Sequence, residues 1–281
     1  MTMKKAISIA CTTALAALSG GVQAQVSGGV VKIGVLTDLS GTYSDVAGPG
    51  AVQATKMAIE DFIAKEKPDF KIEMVSADHQ NKADIASNKA REWFEREGVD
   101  TATELVTTSV ALAVMKIAKE KDRIALMSGP ASTPITNEQC NDVTVHYTYD
   151  TYALANGTAK AVTKQGGKSW FFLTADYAFG QALEKDASAV VTANGGKVLG
   201  SVRHPFPGSD FSSFLLKAQS SGAQVIGLAN AGADTTNAIK QAAEFGITPT
   251  QSLAGLLMFI TDVHSLGLKA TQGMYLTDGF Y

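Results

Sequence analysis

Apolar, strand-like runs alternate with helix-period segments along this chain, and after an interruption just before residue 150 the same alternation begins again. A β-branched run over 30–36 leads through a Gly/Ser/Pro loop into 51–64, where Ala51, Ala54, Ala58 and Phe62 recur at helical spacing. Residues 71–77 alternate as a strand and 83–97 read as a charged amphipathic helix. A strand near 103–106 precedes a helix striped by Val110, Ala113, Val114, Ile117 and Ala118, and a fourth strand covers 124–127. The stretch TVHYTYD over 144–150 breaks the rhythm. Beyond it come a helix over 152–165, a buried strand over 169–174, and a helix whose face runs from Phe179 to Val191. Strands follow at 197–202, 225–229 and 252–255, with helices over 211–220, capped by Ser209, and over 235–245, stopped by Gly246. Such alternation implies an α/β fold of two doubly wound parallel-sheet lobes. No low-complexity linker separates them, so a hinge joins them within one compact body.

The first 24 residues read as an export signal. Lys4 and Lys5 form a positive start, 6–18 is a short apolar run, and Val22-Gln23-Ala24 offers small residues at a cleavage site. An apolar run of that length falls short of the roughly 20 residues a spanning helix needs, so cleavage, a mature chain from Gln25 and a bacterial periplasmic location are expected. Removing Lys4 and Lys5 from the 24 basic residues leaves 22 against 27 acidic ones. That acidic balance argues against nucleic acid and against membrane surfaces as partners. Cys140 is then the one cysteine left, and a buried or semi-exposed free thiol is expected there.

In an open parallel sheet, ligands bind beyond the carboxyl ends of the strands. Three loops at such ends carry hydroxyls and small residues: 38–43 (DLSGTY), 107–109 (TTS) and 128–133 (SGPAST). Hydroxyls beside the free N–H groups of helix N-termini make an anion site without a cationic side chain, and a carboxylate suits it. The plainer alternative for Ser109, Ser132 and Thr133 is that each caps a helix. Catalytic signatures are missing: the chain holds no GxSxG, HExxH, GxxxxGK[ST], CxxC or GxGxxG. His79, His146, His204 and His264 have no ligand spacing, so neither a metal nor a cofactor is expected. The Asp78-His79 pair reads as a solvated loop ending the second strand.

These residues carry a resemblance. The run VKIGVLTDLSGTYSDVAGPGAVQATKMAIEDF, the SGPAST loop, the DYAFG turn and the AEFGI helix end look like the periplasmic substrate-binding proteins of branched-chain amino-acid-type ABC importers. The resemblance implies two type I periplasmic-binding lobes, 25–149 and 150–275, with 276–281 beginning a return crossing and lobe one incomplete at its C-terminal side. It implies a ligand held without turnover, closure about hinges near Tyr149-Asp150 and Gly273-Met274, a membrane permease as partner, and a monomer when full length. Carried over residue by residue, Ser109 matches the serine that holds the ligand carboxylate. Ala131, Ser132 and Thr133 match the loop holding carboxylate and ammonium. Tyr177 matches the closing tyrosine and Tyr43 the first-loop aromatic, with Asn230 and Leu257 on the lobe-two side.

The resemblance also breaks in two places. The family's second lobe-two tyrosine falls near Ala231-Gly232, and the acidic partner of the ammonium falls near Leu257, with Asp234 or Asp262 as substitutes. An aromatic or aliphatic acid is therefore expected to bind better than the matching α-amino acid. An exported sensor domain on the same scaffold is the alternative reading, and an exported hydrolase is a distant third.

Overall fold

The computed structural model describes residues 26–279, so the export-signal reading of 1–24 lies outside the described residues. Lobe one is built from β1 (Val30–Thr37), α1 (Gly48–Glu66), β2 (Lys71–Asp78), α2 (Ala83–Glu95), β3 (Thr101–Glu104), α3 (Thr108–Glu120), β4 (Ile124–Met127) and β5 (Thr144–His146). Its five strands are parallel, in the order β2-β1-β3-β4-β5. Lobe two follows with α4 over 151–164, whose middle turn Ala155–Ala159 is π-helical, then β6 (Ser169–Ala175), α5 (Ala178–Ala193) and β7 (Lys197–His204). It continues with α6 (Ser212–Ser220), β8 (Val225–Ala229), α7 (Ala233–Glu244), β9 (Ser252–Gly255), α8 (Ile260–Leu266), α9 (Leu268–Thr271) and β10 (Tyr275–Leu276). These strands are parallel too, in the order β10-β9-β8-β6-β7.

Both sheets obey one rule: the first strand of each lobe lies between its second and its third. Chain order therefore reverses direction beside β1 in one lobe and beside β6 in the other. Such switch points leave a crevice at the strands' carboxyl ends, because successive helices fall on opposite faces there.

Burial explains which runs became central strands. β8 is buried along its whole length and β6 everywhere except Ser169, as expected of strands covered by helices on both faces. Trp170 and Phe172 stack at 5.8 Å on one face of β6, while Phe171 and Leu173 join Leu215, Ile226 and Ile239 on the other. Lobe one packs α2 and α3 against the sheet through Trp93, Phe94, Val110 and Val114. Gly34 in β1 lets Trp93 approach closely, since a Cβ there would lie 2.5 Å from the indole. On the other side of that sheet α1 leaves Met57, Phe62 and Ile63 exposed.

Several details depart from the sequence reading. Residues 144–146, read as an interruption, form the edge strand β5, and Leu276 pairs within the lobe-two sheet. Ser209 does not cap α6: Asp210 Oδ1 accepts from the Ser212 N–H at 2.9 Å, and the Ser209 carbonyl accepts from Gln241. His79 is not in a solvated loop. It is fully buried, Nδ1 accepts the Asn81 N–H at 3.0 Å, and burial pushes the imidazole down to about 4. Cys140 is exposed and free. Among the described residues, no helix is long and apolar enough to cross a membrane, and no three His, Cys, Asp or Glu side chains group as a metal site.

Candidate functional site

The loops leaving β1 and β3 face those leaving β6 and β8 across a cavity of about 300 Å³. Its walls are mainly apolar and aromatic, with Val46, Ala51, Val106 and Ala131 from lobe one and Tyr177, Phe179, Ala231 and Leu257 from lobe two. Tyr43, Tyr149 and Phe259 complete the aromatic lining. The first turn of α1 and that of α5 both contribute to the wall, through Gly50-Ala51 and Phe179. Free N–H groups and the positive end of each helix dipole thus lie beside the cavity, which favours an anionic ligand group. No Lys, Arg or His is among the lining residues.

Asp38 builds the first wall. Fully buried at the end of β1, it accepts hydrogen bonds from the Gly41 N–H at 2.7 Å, the Tyr43 N–H at 2.8 Å and the Asn81 amide at 2.5 Å. The Thr107 hydroxyl in turn donates to Asn81 Oδ1, tying this loop to the start of α3. Asp78 supports the same loop by accepting from the Leu39 N–H and the Ser40 hydroxyl. Tyr43 is thereby held over the cavity, where its hydroxyl meets that of Tyr177 at 2.5 Å. Phe206 stacks on Tyr177 at 4.2 Å and lies 5.3 Å from Tyr43. Burial raises the pKa of both phenols, so both remain neutral donors and acceptors. Nearby the Ala233 N–H donates to the Thr42 carbonyl at 3.1 Å, again from lobe two to lobe one.

Of the eight residues expected to touch ligand, Tyr43, Ala131, Tyr177 and Leu257 line this cavity together. Ser109, Ser132, Thr133 and Asn230 do not. Ser109 lies one position past the first residue of α3 and stays half-exposed. Ser132 is buried, its hydroxyl unpartnered, and it makes no side-chain cap; α3 likewise has none. The Thr133 hydroxyl donates to Asp186 of α5 at 3.1 Å beside Thr151, whose hydroxyl reaches the same carboxylate at 2.6 Å. Thr133 is therefore a bridge between the lobes near the crossing. Asn230 is buried behind the wall, 3.1 Å from His204 Nε2 and accepting from Thr235 at 2.7 Å.

Neither substitute acid reaches the cavity wall. Asp234 accepts from the Gly208 N–H, and Asp262 accepts from the Phe259 N–H at the start of α8. Two acidic side chains do line the wall, Asp45 and Glu104, and Glu104, at the end of β3, is the buried one that sequence reasoning misses. It is 3% exposed, and its Oε2 accepts the Val106 N–H at 2.9 Å. Burial pushes its carboxyl up to about 7. A charged residue closing an otherwise uncharged strand, TATE, was the one available signal.

A family model described as periplasmic binding protein matches residues 30–281. A periplasmic binding protein from Burkholderia mallei is 60% identical, with a TM-score of 0.88 over 91% of this chain and 68% of that one. A branched-chain amino acid ABC transporter periplasmic ligand-binding protein from Burkholderia xenovorans LB400 is 40% identical, with a TM-score of 0.70 over 87% of this chain and 65% of that one. Leu/Ile/Val-binding protein homolog 6 of Brucella abortus (strain 2308) is 28% identical over 202 residues, 69% of this chain. That match spans about half, 49%, of the Brucella protein's length.

Proposed function

The chain belongs to the periplasmic binding protein family, and from that premise we propose that it is an extracytoplasmic solute receptor serving an ABC importer. It holds a small carboxylate-bearing ligand with a mostly apolar body between its lobes and releases it unchanged to a membrane permease. The observation that carries this reading is the cavity itself, set at the switch points of both sheets and lined by aromatic side chains and helix N-termini without a basic residue. Anionic ligand groups are held at such helix ends, and apolar bodies by such walls. The relatives named for amino acids and for ABC transport support the same reading.

Binding closes the lobes about the crossing near Tyr149-Asp150; the second hinge expected at Gly273-Met274 lies ahead of β10, which still pairs within lobe two, and is not kept. Tyr43 with Tyr177, and Thr42 with Ala233, are the contacts that the closed form gains. Thermal denaturation against a ligand panel tests this. Monocarboxylates and amino acids with branched or aromatic bodies should stabilise the protein, by about 2.7 kcal/mol at a hundredfold excess over Kd. Sugars and simple amines should not, and stabilisation by sugars alone would overturn the reading.

A further inference from the structure

Glu104 poses a problem for any acid that enters this cavity. Its side chain lies flat against the 128–129 loop: a Cβ built on Gly129 would sit 2.1 Å from Glu104 Oε1, so that loop has room for the carboxyl only because it carries glycine there. Oε2 is bound to the Val106 N–H, and no cation answers the charge. The titratable groups around it are Asp38 from the β1 loop and, across the cavity, Tyr43, Asp45, Tyr149 and Tyr177. None of these carries positive charge, and Asp38 adds a like charge. Two carboxylates within about 300 Å³ of mostly apolar space repel strongly, because little water screens them.

We propose that Glu104 is the residue that sets which ligand charge the site accepts, by requiring one proton to lie between its carboxylate and the ligand's. A zwitterionic amino acid brings that proton on its ammonium group. A simple carboxylic acid anion binds only as Glu104 takes up a proton from solvent, its carboxylate becoming a neutral carboxyl able to donate a hydrogen bond. Plain acids therefore take up a proton above pH 7, whereas amino acids take up none and instead release one below it. The inference rests on the carboxylate-ligand reading above. It replaces the expectation that the site lacks an acidic partner, since β3 supplies one from lobe one. Burial, which already pushes Glu104 up to about 7, makes the uptake accessible at neutral pH.

Isothermal titration calorimetry with two matched pairs, L-leucine with 4-methylpentanoate and L-phenylalanine with 3-phenylpropanoate, tests this at pH 6 and pH 8. Measurement in two buffers of different ionisation enthalpy counts the protons. The amino acids should take up no proton at pH 8 and release close to one at pH 6, where Glu104 starts protonated and must ionise to meet the ammonium. The desamino acids should take up close to one proton at pH 8 and bind about tenfold more weakly there than at pH 6, the fall expected when a group titrating near 7 must be protonated. In Glu104→Gln the pH dependence and the proton uptake of the desamino acids should vanish, and amino-acid binding should weaken. If Glu104→Gln fails to fold, the proton count of the wild-type protein decides alone. Binding of the desamino acids without proton uptake overturns the inference and leaves the carboxylate reading standing. No heat from any of the four ligands at either pH overturns that reading, and the inference with it.

Discussion

The hydroxyls of Tyr43 and Tyr177, 134 residues apart in sequence, meet at 2.5 Å across the mouth of the cavity. One is fixed by Asp38 at the end of β1 and the other by its place ahead of α5, so the bond reports directly on how the two lobes sit. Tyr43 is buried and Tyr177 partly buried there, and each phenol hydroxyl has the other as its hydrogen-bond partner.

Removing either hydroxyl strands its partner. Tyr43→Phe and Tyr177→Phe should each weaken ligand binding by about 1–3 kcal/mol, the cost of an unsatisfied buried polar group. The double variant should lose less than the sum, because the second substitution removes the group that the first left stranded. A double-mutant cycle by calorimetry checks this; strictly additive losses would mean that the two hydroxyls do not act as a pair.

Gly232 has φ +59 and ψ −137, a conformation that side chains other than glycine's rarely adopt, and a Cβ there would lie 2.5 Å from the Thr42 carbonyl of lobe one. Gly232→Ala should therefore hold the lobes apart. Small-angle scattering should find a larger radius of gyration that fails to shrink on adding ligand, with binding weakened by about 1–3 kcal/mol. An unchanged radius and affinity would place closure elsewhere.

Much of this architecture is legible in the amino-acid sequence. The runs at 30–36, 169–174 and 225–229 are apolar because central parallel strands are covered on both faces, and they read as strands for that reason. Tyr43, Ala131, Tyr177 and Leu257 line one cavity because loops at strand carboxyl ends face the crevice. The residues that lie away from the cavity do so for local reasons. Ser109 was placed at the wall, but a step of one residue at a helix start turns a side chain by about 100°. Thr133 reads as a ligand contact because Asp186, the side chain it bonds 53 residues away, is invisible in a linear reading. His79 was read as solvated because a His between Asp and Gln looks polar, whereas packing buries it completely. Glu104 escapes a linear reading for the same reason: a carboxylate ending a short strand resembles a surface residue, whereas here it packs against the Gly129 loop and accepts the Val106 N–H.

Asp38 satisfies three donors at once, so Asp38→Ala should cost about 1–3 kcal/mol for each donor left without a partner. Urea denaturation measures the loss. Since the Tyr43 N–H is one of those donors, ligand affinity should fall as well. A variant with full stability would mean that water replaces the carboxylate, and that the loop is not organised by it.

Asp234 is 1% exposed, its Oδ2 lacks a hydrogen-bond partner, and burial pushes its carboxyl up to about 7. A raised carboxyl favours folding fully below its ordinary value of 3.8, and that contribution is lost as pH rises toward and through 7. Asp234→Asn keeps the neutral shape at every pH. It should change stability little at pH 4 and raise it by about 2–4 kcal/mol at pH 8, read as a growing difference in melting temperature. A difference independent of pH would mean that Asp234 does not titrate on its own in this range.

The central claim is that an acid is held between the lobes in the cavity shared by Tyr43, Glu104, Ala131 and Tyr177. A crystal structure of the protein grown with the most stabilising acid of the panel tests this most directly. The account predicts the ligand enclosed in that cavity, its carboxylate toward helix N-termini and its apolar body against Phe179 and Leu257. An empty cavity at saturating ligand, or the acid bound on an outer face, would contradict it.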